Sequence, residues 1–156
     1  MPFSNIYDQP TLDYITPIQD ALVNSLSLIT YNDEPIIVET SSSIDGLYDK
    51  HDDYFPRLEL ILMDSGDEWA EQKTKYRTLT WSLTGYALQK ETNKDLYQFY
   101  LQTCKAVEKL NGDTVQGLIN IPFFIEVNDQ FNAVIDTHSD DKLKFFILFF
   151  TSKSEV

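Results

Sequence analysis

The sequence predicts a single α+β domain in which one mixed, largely antiparallel sheet carries two helices packed on one face. Two stretches place apolar residues at helical spacing, and several others alternate apolar and polar residues with the period of a strand. Their order is helix, strand, long loop, two strands, helix and three strands, which favours this architecture. Nothing repeats at a fixed period and no linker composition divides residues 1–156, so we expect one domain.

The first helix is predicted over about residues 16–29, after a loose N-terminal segment over 1–15. Thr16 and Pro17 give it an N-cap followed by proline at the first helical position, where the missing N–H costs nothing. The apolar residues that then recur at helical spacing are Ile18, Leu22, Leu26 and Ile29. Residues 35–39 follow as a short predicted strand with proline at its first or edge position.

A long acidic loop is predicted over residues 41–56, with three serines, one glycine and a cluster of aspartates. Loops longer than about twelve residues are uncommon and are usually functional or mobile. We expect this loop to order on contact with a partner, the alternative being that its aromatic residues fold back onto the sheet. The candidate interface residues of the loop are three aromatic and three acidic side chains: Tyr48, Tyr54, Phe55, Asp49, Asp52 and Asp53.

A long hairpin follows, with strands predicted at 58–62 and 78–88 and a polar connection over 64–75 at its tip. Both strands alternate apolar and polar residues, which is the period of side chains in a strand. Trp69 lies among charged and polar residues of the connection, which makes it a candidate interface anchor. The alternative is that Trp69 folds back on the sheet and covers Trp81.

The second strand of this hairpin changes phase at Gly85. Before the glycine, the apolar face consists of odd-numbered residues such as Trp81 and Leu83. After it, Tyr86 and Leu88 take over the apolar face. A glycine at a phase change in a strand predicts a β-bulge.

A second helix is predicted from Asn93, which can cap it, to Asn111 and Gly112, which stop it. Asp95 lies in the first turn, where a carboxylate complements the positive end of the helix dipole. The residues of its buried stripe are Leu96, Phe99, Tyr100, Thr103, Val107 and Leu110. Cys104 lies beside that stripe and is expected to be a buried structural cysteine.

Two or three strands are predicted to close the chain, over 119–127, 131–137 and 143–150. Pro122 indicates that the first of them lies at an edge or contains a bulge. The last strand is apolar on both faces, so we expect it to be central or covered on both sides.

The formal charge of −13 arises in the first half of the chain. Residues 1–72 hold fifteen acidic residues against two basic ones, whereas 73–156 hold ten of each. An acidic surface repels phosphate, which disfavours binding to nucleic acid or to an anionic membrane. Two explanations remain, namely solubility alone and electrostatic complementarity to a basic partner.

The chain has one cysteine, so it forms no internal disulfide, and an intracellular history is the simplest expectation. Its first ten residues are polar and interrupted by prolines, so no signal peptide is predicted. The longest apolar run, 145–150, is far shorter than the roughly 20 residues that span a bilayer, so no membrane partner is expected.

No residue pattern predicts a catalytic, cofactor-binding or metal site, and we do not expect an enzyme. His51 lies in the acidic loop, where a solvated side chain is favoured over a tuned base or a metal ligand. Asp136, His138 and Asp140 share one face of an extended chain and could meet one divalent ion. Their composition is also that of a turn and a further ligand is missing, which favours the turn.

The arrangement resembles the tail-terminator proteins (minor tail protein U-type) of long-tailed bacteriophages, and it is similar to other α+β phage neck proteins. The points of contact are the N-terminal helix beginning at Thr16-Pro17-Ile18, the entry Phe55-Pro56-Arg57-Leu58 into a long hairpin, an amphipathic helix and closing strands. Region 122–150 departs from that pattern by containing more strand.

The resemblance implies a homo-oligomeric ring, typically a hexamer, that stops polymerisation of the tail tube. Its partners would be tail-tube and head-connector proteins, and its location the host cytoplasm during assembly and then the virion. Two other interpretations stay open. One is an acidic inhibitor (a DNA mimic or an immunity protein) of a basic nuclease or DNA-binding protein, and the other is an enzyme using the 136–141 cluster.

Overall fold

A computed structural model describes residues 15–41, 55–88, 90–112, 123–127, 134–135 and 143–155. The helices are α1, Thr16–Leu26, and α2, Asn93–Glu108. The strands are β1 (Thr30–Tyr31), β2 (Glu34–Pro35), β3 (Ile37–Glu39), β4 (Arg57–Glu71), β5 (Thr74–Leu88), β6 (Phe123–Val127), β7 (Val134–Ile135) and β8 (Leu143–Glu155). Together they form the α+β fold that the sequence predicts.

The main sheet of the described residues is mixed and largely antiparallel. Its strand order is β3-β4-β5-β8-β6, and β7 also pairs with β8. Only the β3–β4 pair among these is parallel. The apolar strand β8 lies inside the sheet, as its composition predicts, although Phe149 on one face is 46% exposed. The strand β8 also continues five residues beyond the predicted end at residue 150.

The small hairpin β1–β2 turns through Asn32 and Asp33, both of which have positive φ (51° and 65°). A two-residue turn of this kind matches the twist of the flanking strands, and Asn and Asp tolerate it well. The strand predicted over 35–39 is divided between two sheets. Pro35 is the last residue of β2 in the small hairpin, and Ile37–Glu39 form β3 in the main sheet.

The N-cap of each helix lies one residue before the predicted one, and α1 ends at Leu26, three residues before its predicted end. Ile15 occupies the N-cap of α1 and makes no side-chain cap hydrogen bond. Thr92, rather than Asn93, caps α2, and its side chain accepts a hydrogen bond from the backbone N–H of Asp95. The Asp95 carboxylate accepts one in return from the backbone N–H of Thr92, which completes a capping box.

The two helices pack on the same face of the main sheet, as the sequence predicts. One buried cluster surrounds Trp81 and Phe146, and it combines residues of both helices with residues of β4, β5 and β8. The Ser25 hydroxyl donates a 2.6 Å hydrogen bond to the carbonyl oxygen of Ala106 and joins the helices. Cys104 is buried in this cluster.

The predicted β-bulge at Gly85 is wrong. The pairing of β5 with both neighbours runs through Gly85 without a shift, and the irregularities lie in β4, between Leu62 and Asp64 and between Trp69 and Glu71. The sequence suggested a phase change because the opposite face of the sheet is also buried at this end. A second apolar cluster there contains Phe55, Tyr86, Leu88 and Leu143.

We expect Tyr86 to make the fold sensitive to alkali. Burial and, to a lesser extent, the Glu59 carboxylate raise the pKa of Tyr86 to about 12, above the roughly 10 of an unfolded chain. The stability that neutral Tyr86 contributes is fully present below about pH 10 and is lost as the pH rises through about 12. Tyr86→Phe should lessen this loss, measured by urea unfolding between pH 8 and 12.

Tyr97→Phe is the matched control, because it removes the hydroxyl of an exposed tyrosine on α2. The alkaline loss of unfolding free energy should persist in this control and diminish in Tyr86→Phe. Equal slopes against pH in the wild type and Tyr86→Phe would contradict the assignment to Tyr86.

Candidate interaction surfaces

The hairpin β4–β5 extends beyond the body of the sheet as a two-stranded arm. The sequence predicts a polar connection over 64–75, but both strands continue through it to a two-residue turn at residues 72–73. The last described residue of β8 in the sheet, Glu155, pairs with Tyr76, so the described sheet narrows to two strands beyond that point. We call residues 67–77 the arm; they comprise this two-stranded tip and its base, where Tyr76 and Arg77 still pair with the end of β8.

One face of the arm carries an exposed tryptophan with a lysine beside its ring. Register and alternation place Asp67, Trp69, Lys75 and Arg77 on the same face as Trp81, which is the face covered by the helices farther along the sheet. Trp69 is 66% exposed, and the Lys75 Nζ lies 5.8 Å from the centre of its ring. Aromatic and arginine side chains are the residue types that dominate binding energy at interfaces.

Ion pairs hold this face in one arrangement. Arg77 donates from Nε to Asp67 Oδ1 at 2.8 Å and from its NH2 group to Oδ2 at 3.1 Å. The Lys75 Nζ lies 3.0 Å from Asp67 Oδ2. These two cations hold the pKa of Asp67 well below its usual range. The forked geometry of the arginine pair favours one orientation of these two side chains on the arm.

The opposite face of the arm is tied to the end of β8. The Lys153 Nζ lies 2.5 Å from Glu68 Oε1 and 5.1 Å from the centre of the Tyr76 ring. The base of the arm is thereby attached to β8, the strand that pairs with β5.

The alternative position for Trp69, folded over Trp81, is wrong. Trp69 is 66% exposed, whereas the buried Trp81 ring is stacked on Phe150 at a centroid distance of 6.4 Å and its Nε1–H donates a 2.9 Å hydrogen bond to the Ser152 hydroxyl. The role of Trp69 as an interface anchor stays a prediction.

Most of the other candidate residues lie outside the described residues. These are Tyr48, Asp49, His51, Asp52, Asp53, Tyr54, Asp136, His138 and Asp140. Phe55 is described and is only 6% exposed, since it packs against the second apolar cluster instead of standing free in solvent.

A groove that the sequence did not predict lies at the end of the hairpin opposite the arm. It has a volume of about 410 Å³ and runs between the β1–β2 hairpin, the end of β5 and the first turns of α2. Its floor is apolar and consists of Ile29, Ile36, Phe55, Leu88 and Leu96. Because these residues come from four separate parts of the chain, no local pattern in the sequence indicates the groove.

The rim of the groove is polar and acidic. Tyr31 donates a hydrogen bond from its hydroxyl to Glu91 Oε1, and this bond is the main cause that raises the pKa of Tyr31. The capping box lowers the pKa of Asp95, so its carboxylate stays charged. The rim also carries the amides of Gln98 and Gln102. A second depression adjoins the groove, and polar residues such as Glu34 and Lys90 border it.

No group of three or more His, Cys, Asp and Glu side chains within the described ranges is placed to hold a metal ion. No helix in the described part of the chain is long and apolar enough to cross a membrane. No protein-family model matches the sequence, and a search of curated proteins finds no relative.

Proposed function

We propose that this chain is a structural assembly protein that associates with copies of itself into a ring, and that the ring terminates a phage tail tube and joins the tail to the head connector. The observation that carries the proposal is the arm. Ring formation needs a surface that is presented to a neighbour and ordered in advance, because ordering side chains on binding lowers affinity.

The arm meets this requirement in two respects. A two-stranded hairpin is marginally stable in water, yet this one is held by the Asp67 ion pairs and by Lys153 at its base. It presents Trp69 to solvent, whereas large aromatic side chains contribute most to stability when they are buried. A contact with another protein molecule would bury the tryptophan without reorganising the arm.

The order of the elements supports the more specific part of the proposal. Helix α1, the long hairpin β4–β5, the amphipathic helix α2 and the closing strand β8 follow one another in the order on which the resemblance to tail terminators rests. The net charge of −13 also suits a ring through which DNA passes, because an acidic lining repels the phosphate backbone. Tail-tube and head-connector proteins would then be the partners, first in the host cytoplasm and finally in the virion.

We expect the purified protein to form a closed oligomer of one size, with a hexamer as the form that the resemblance implies. Sedimentation equilibrium and native mass spectrometry at increasing protein concentration would measure the mass. Electron microscopy of stained particles would distinguish rings from filaments.

A strictly monomeric species at high concentration that also fails to bind tail tubes would contradict the proposal. Tight binding to a basic nuclease or DNA-binding protein, lost at high salt, would instead favour the acidic inhibitor.

A further inference from the structure

We infer that the arm of one copy inserts Trp69 into the groove of the next copy, so that the ring is built from one repeated head-to-tail contact. This inference rests on the proposed function and names the surfaces that form its subunit contact. Trp69 would lie on the apolar floor of the groove, and the cations of the arm would meet the acidic rim.

The positions of the two surfaces require two copies. The arm ends at the start of β5, and the groove is lined by Leu88 at the other end of the same strand. At about 3.3 Å per residue, a strand of this length separates them by on the order of 45 Å. A copy cannot fill its own groove, and a contact between different surfaces of identical chains gives a ring when the rotation closes.

The groove fits an indole in size and chemistry. Its volume of about 410 Å³ exceeds that of one side chain, and its floor is made of aliphatic and aromatic residues. A buried tryptophan needs an acceptor for its N–H. The rim supplies acceptors in the carboxylate of Glu91 and the amide oxygens of Gln98 and Gln102.

Charges of opposite sign lie on the two surfaces. Lys75 and Arg77, which share the Asp67 carboxylate, lie on the Trp69 face of the arm, and Glu91 and Asp95 lie on the rim. Copies with a net charge of −13 repel one another, and a local pairing of opposite charges at the contact lowers that repulsion. Since the rim and the arm are largely exposed to water, this pairing should weaken as salt is raised.

Two substitutions disable one surface each. Trp69→Ala removes the anchor from the arm. Gln98→Arg places a longer, positively charged side chain on the rim, where it would oppose the arm cations, and arginine has about the helix propensity of glutamine. We expect each variant alone to associate about 30-fold more weakly than the wild type, or worse, and to be monomeric at concentrations where the wild type forms rings.

Mixing the two variants tests the head-to-tail geometry. Each Gln98→Arg chain keeps an intact arm, and each Trp69→Ala chain keeps an intact groove. The mixture should therefore form a one-to-one heterodimer that grows no further, with a mass twice that of the chain. Native mass spectrometry with one variant isotopically labelled would identify the heterodimer.

Two matched controls should assemble like the wild type. Tyr97→Ala removes an exposed aromatic side chain of α2 that lines neither surface. Asn24→Arg adds the same positive side chain at an exposed position of α1, away from the groove. Circular dichroism and thermal unfolding of all four variants would establish that each is folded.

The outcomes separate this inference from the proposed function. If the wild type forms rings and both variants form them equally well, the arm–groove contact is wrong and the proposed function stands. Two monomeric variants whose mixture stays monomeric would also overturn the contact. A wild type that remains monomeric at high concentration would overturn the proposed function and the contact together.

Discussion

Replacing Trp81 with alanine is expected to lower the free energy of unfolding by about 3–5 kcal/mol. The Trp81 side chain is fully buried, and its ring is stacked on Phe150 with a centroid separation of 6.4 Å. Its Nε1–H donates to the Ser152 hydroxyl, which is itself buried and would lose that partner. A loss of this size is a large part of the roughly 5–15 kcal/mol that stabilises a typical domain. Urea unfolding followed by far-ultraviolet circular dichroism would measure it.

Two further variants separate the causes of that loss. Trp69→Ala removes the same side chain from an exposed position and, at a protein concentration too low for rings to form, should change the free energy of unfolding by no more than about 0.5 kcal/mol. Ser152→Ala keeps the packing of Trp81 but leaves its buried N–H unpaired, at an expected cost of about 1–3 kcal/mol. Equal destabilisation by Trp81→Ala and Trp69→Ala would contradict the assignment of Trp81 to the core.

The parts of the fold that the sequence predicts correctly are those with a hydrophobic period. The stripe of α2 and the alternation in β5 both reflect one buried face, so their type and approximate position follow from the residues alone. The arm has no such signal. Apart from Trp69 and Ala70, residues 64–75 are polar or glycine, and the ion pairs that join Asp67 to β5 exist only once the two strands are in register.

The face on which Trp69 lies could not be read from the sequence either. Leu62 faces the helices, and uninterrupted alternation would place Trp69 on the opposite face. The register shift between Leu62 and Asp64 adds one residue, Met63, and turns Trp69 to the side of the helices. An isolated tryptophan in a polar stretch can be recognised as a candidate anchor, but its orientation depends on this bulge.

The groove depends still more on tertiary structure. Its floor combines Ile29, Phe55, Leu88 and Leu96, which belong to four different segments of the chain. The one local signal near it is Asn32-Asp33, whose composition suits a two-residue hairpin turn. That signal would have located β1–β2, but not the cavity between this hairpin and α2.

Replacing Gly85 with alanine is expected to lower the free energy of unfolding by about 1–3 kcal/mol through overpacking. A Cβ atom at this position would lie 2.3 Å from Cζ and 2.4 Å from Cε1 of Phe146. The Phe146 ring has no room to move, because it is 0% exposed and contacts Phe99 and Tyr100 edge-on at centroid distances of 5.3 and 5.5 Å. The glycine is therefore needed for the close approach of this ring, although its backbone conformation is that of an ordinary strand.

The size of that effect can be checked against a second glycine of the same hairpin. A Cβ at Gly66 meets no atom within 4 Å, so Gly66→Ala should be nearly neutral or slightly stabilising, because alanine restricts the unfolded chain. Phe146→Leu shortens the side chain that Gly85 accommodates, and combining it with Gly85→Ala should cost less than the sum of the two single changes. Strict additivity, or equal effects of alanine at Gly66 and Gly85, would show that the Phe146 ring does not select glycine at this position.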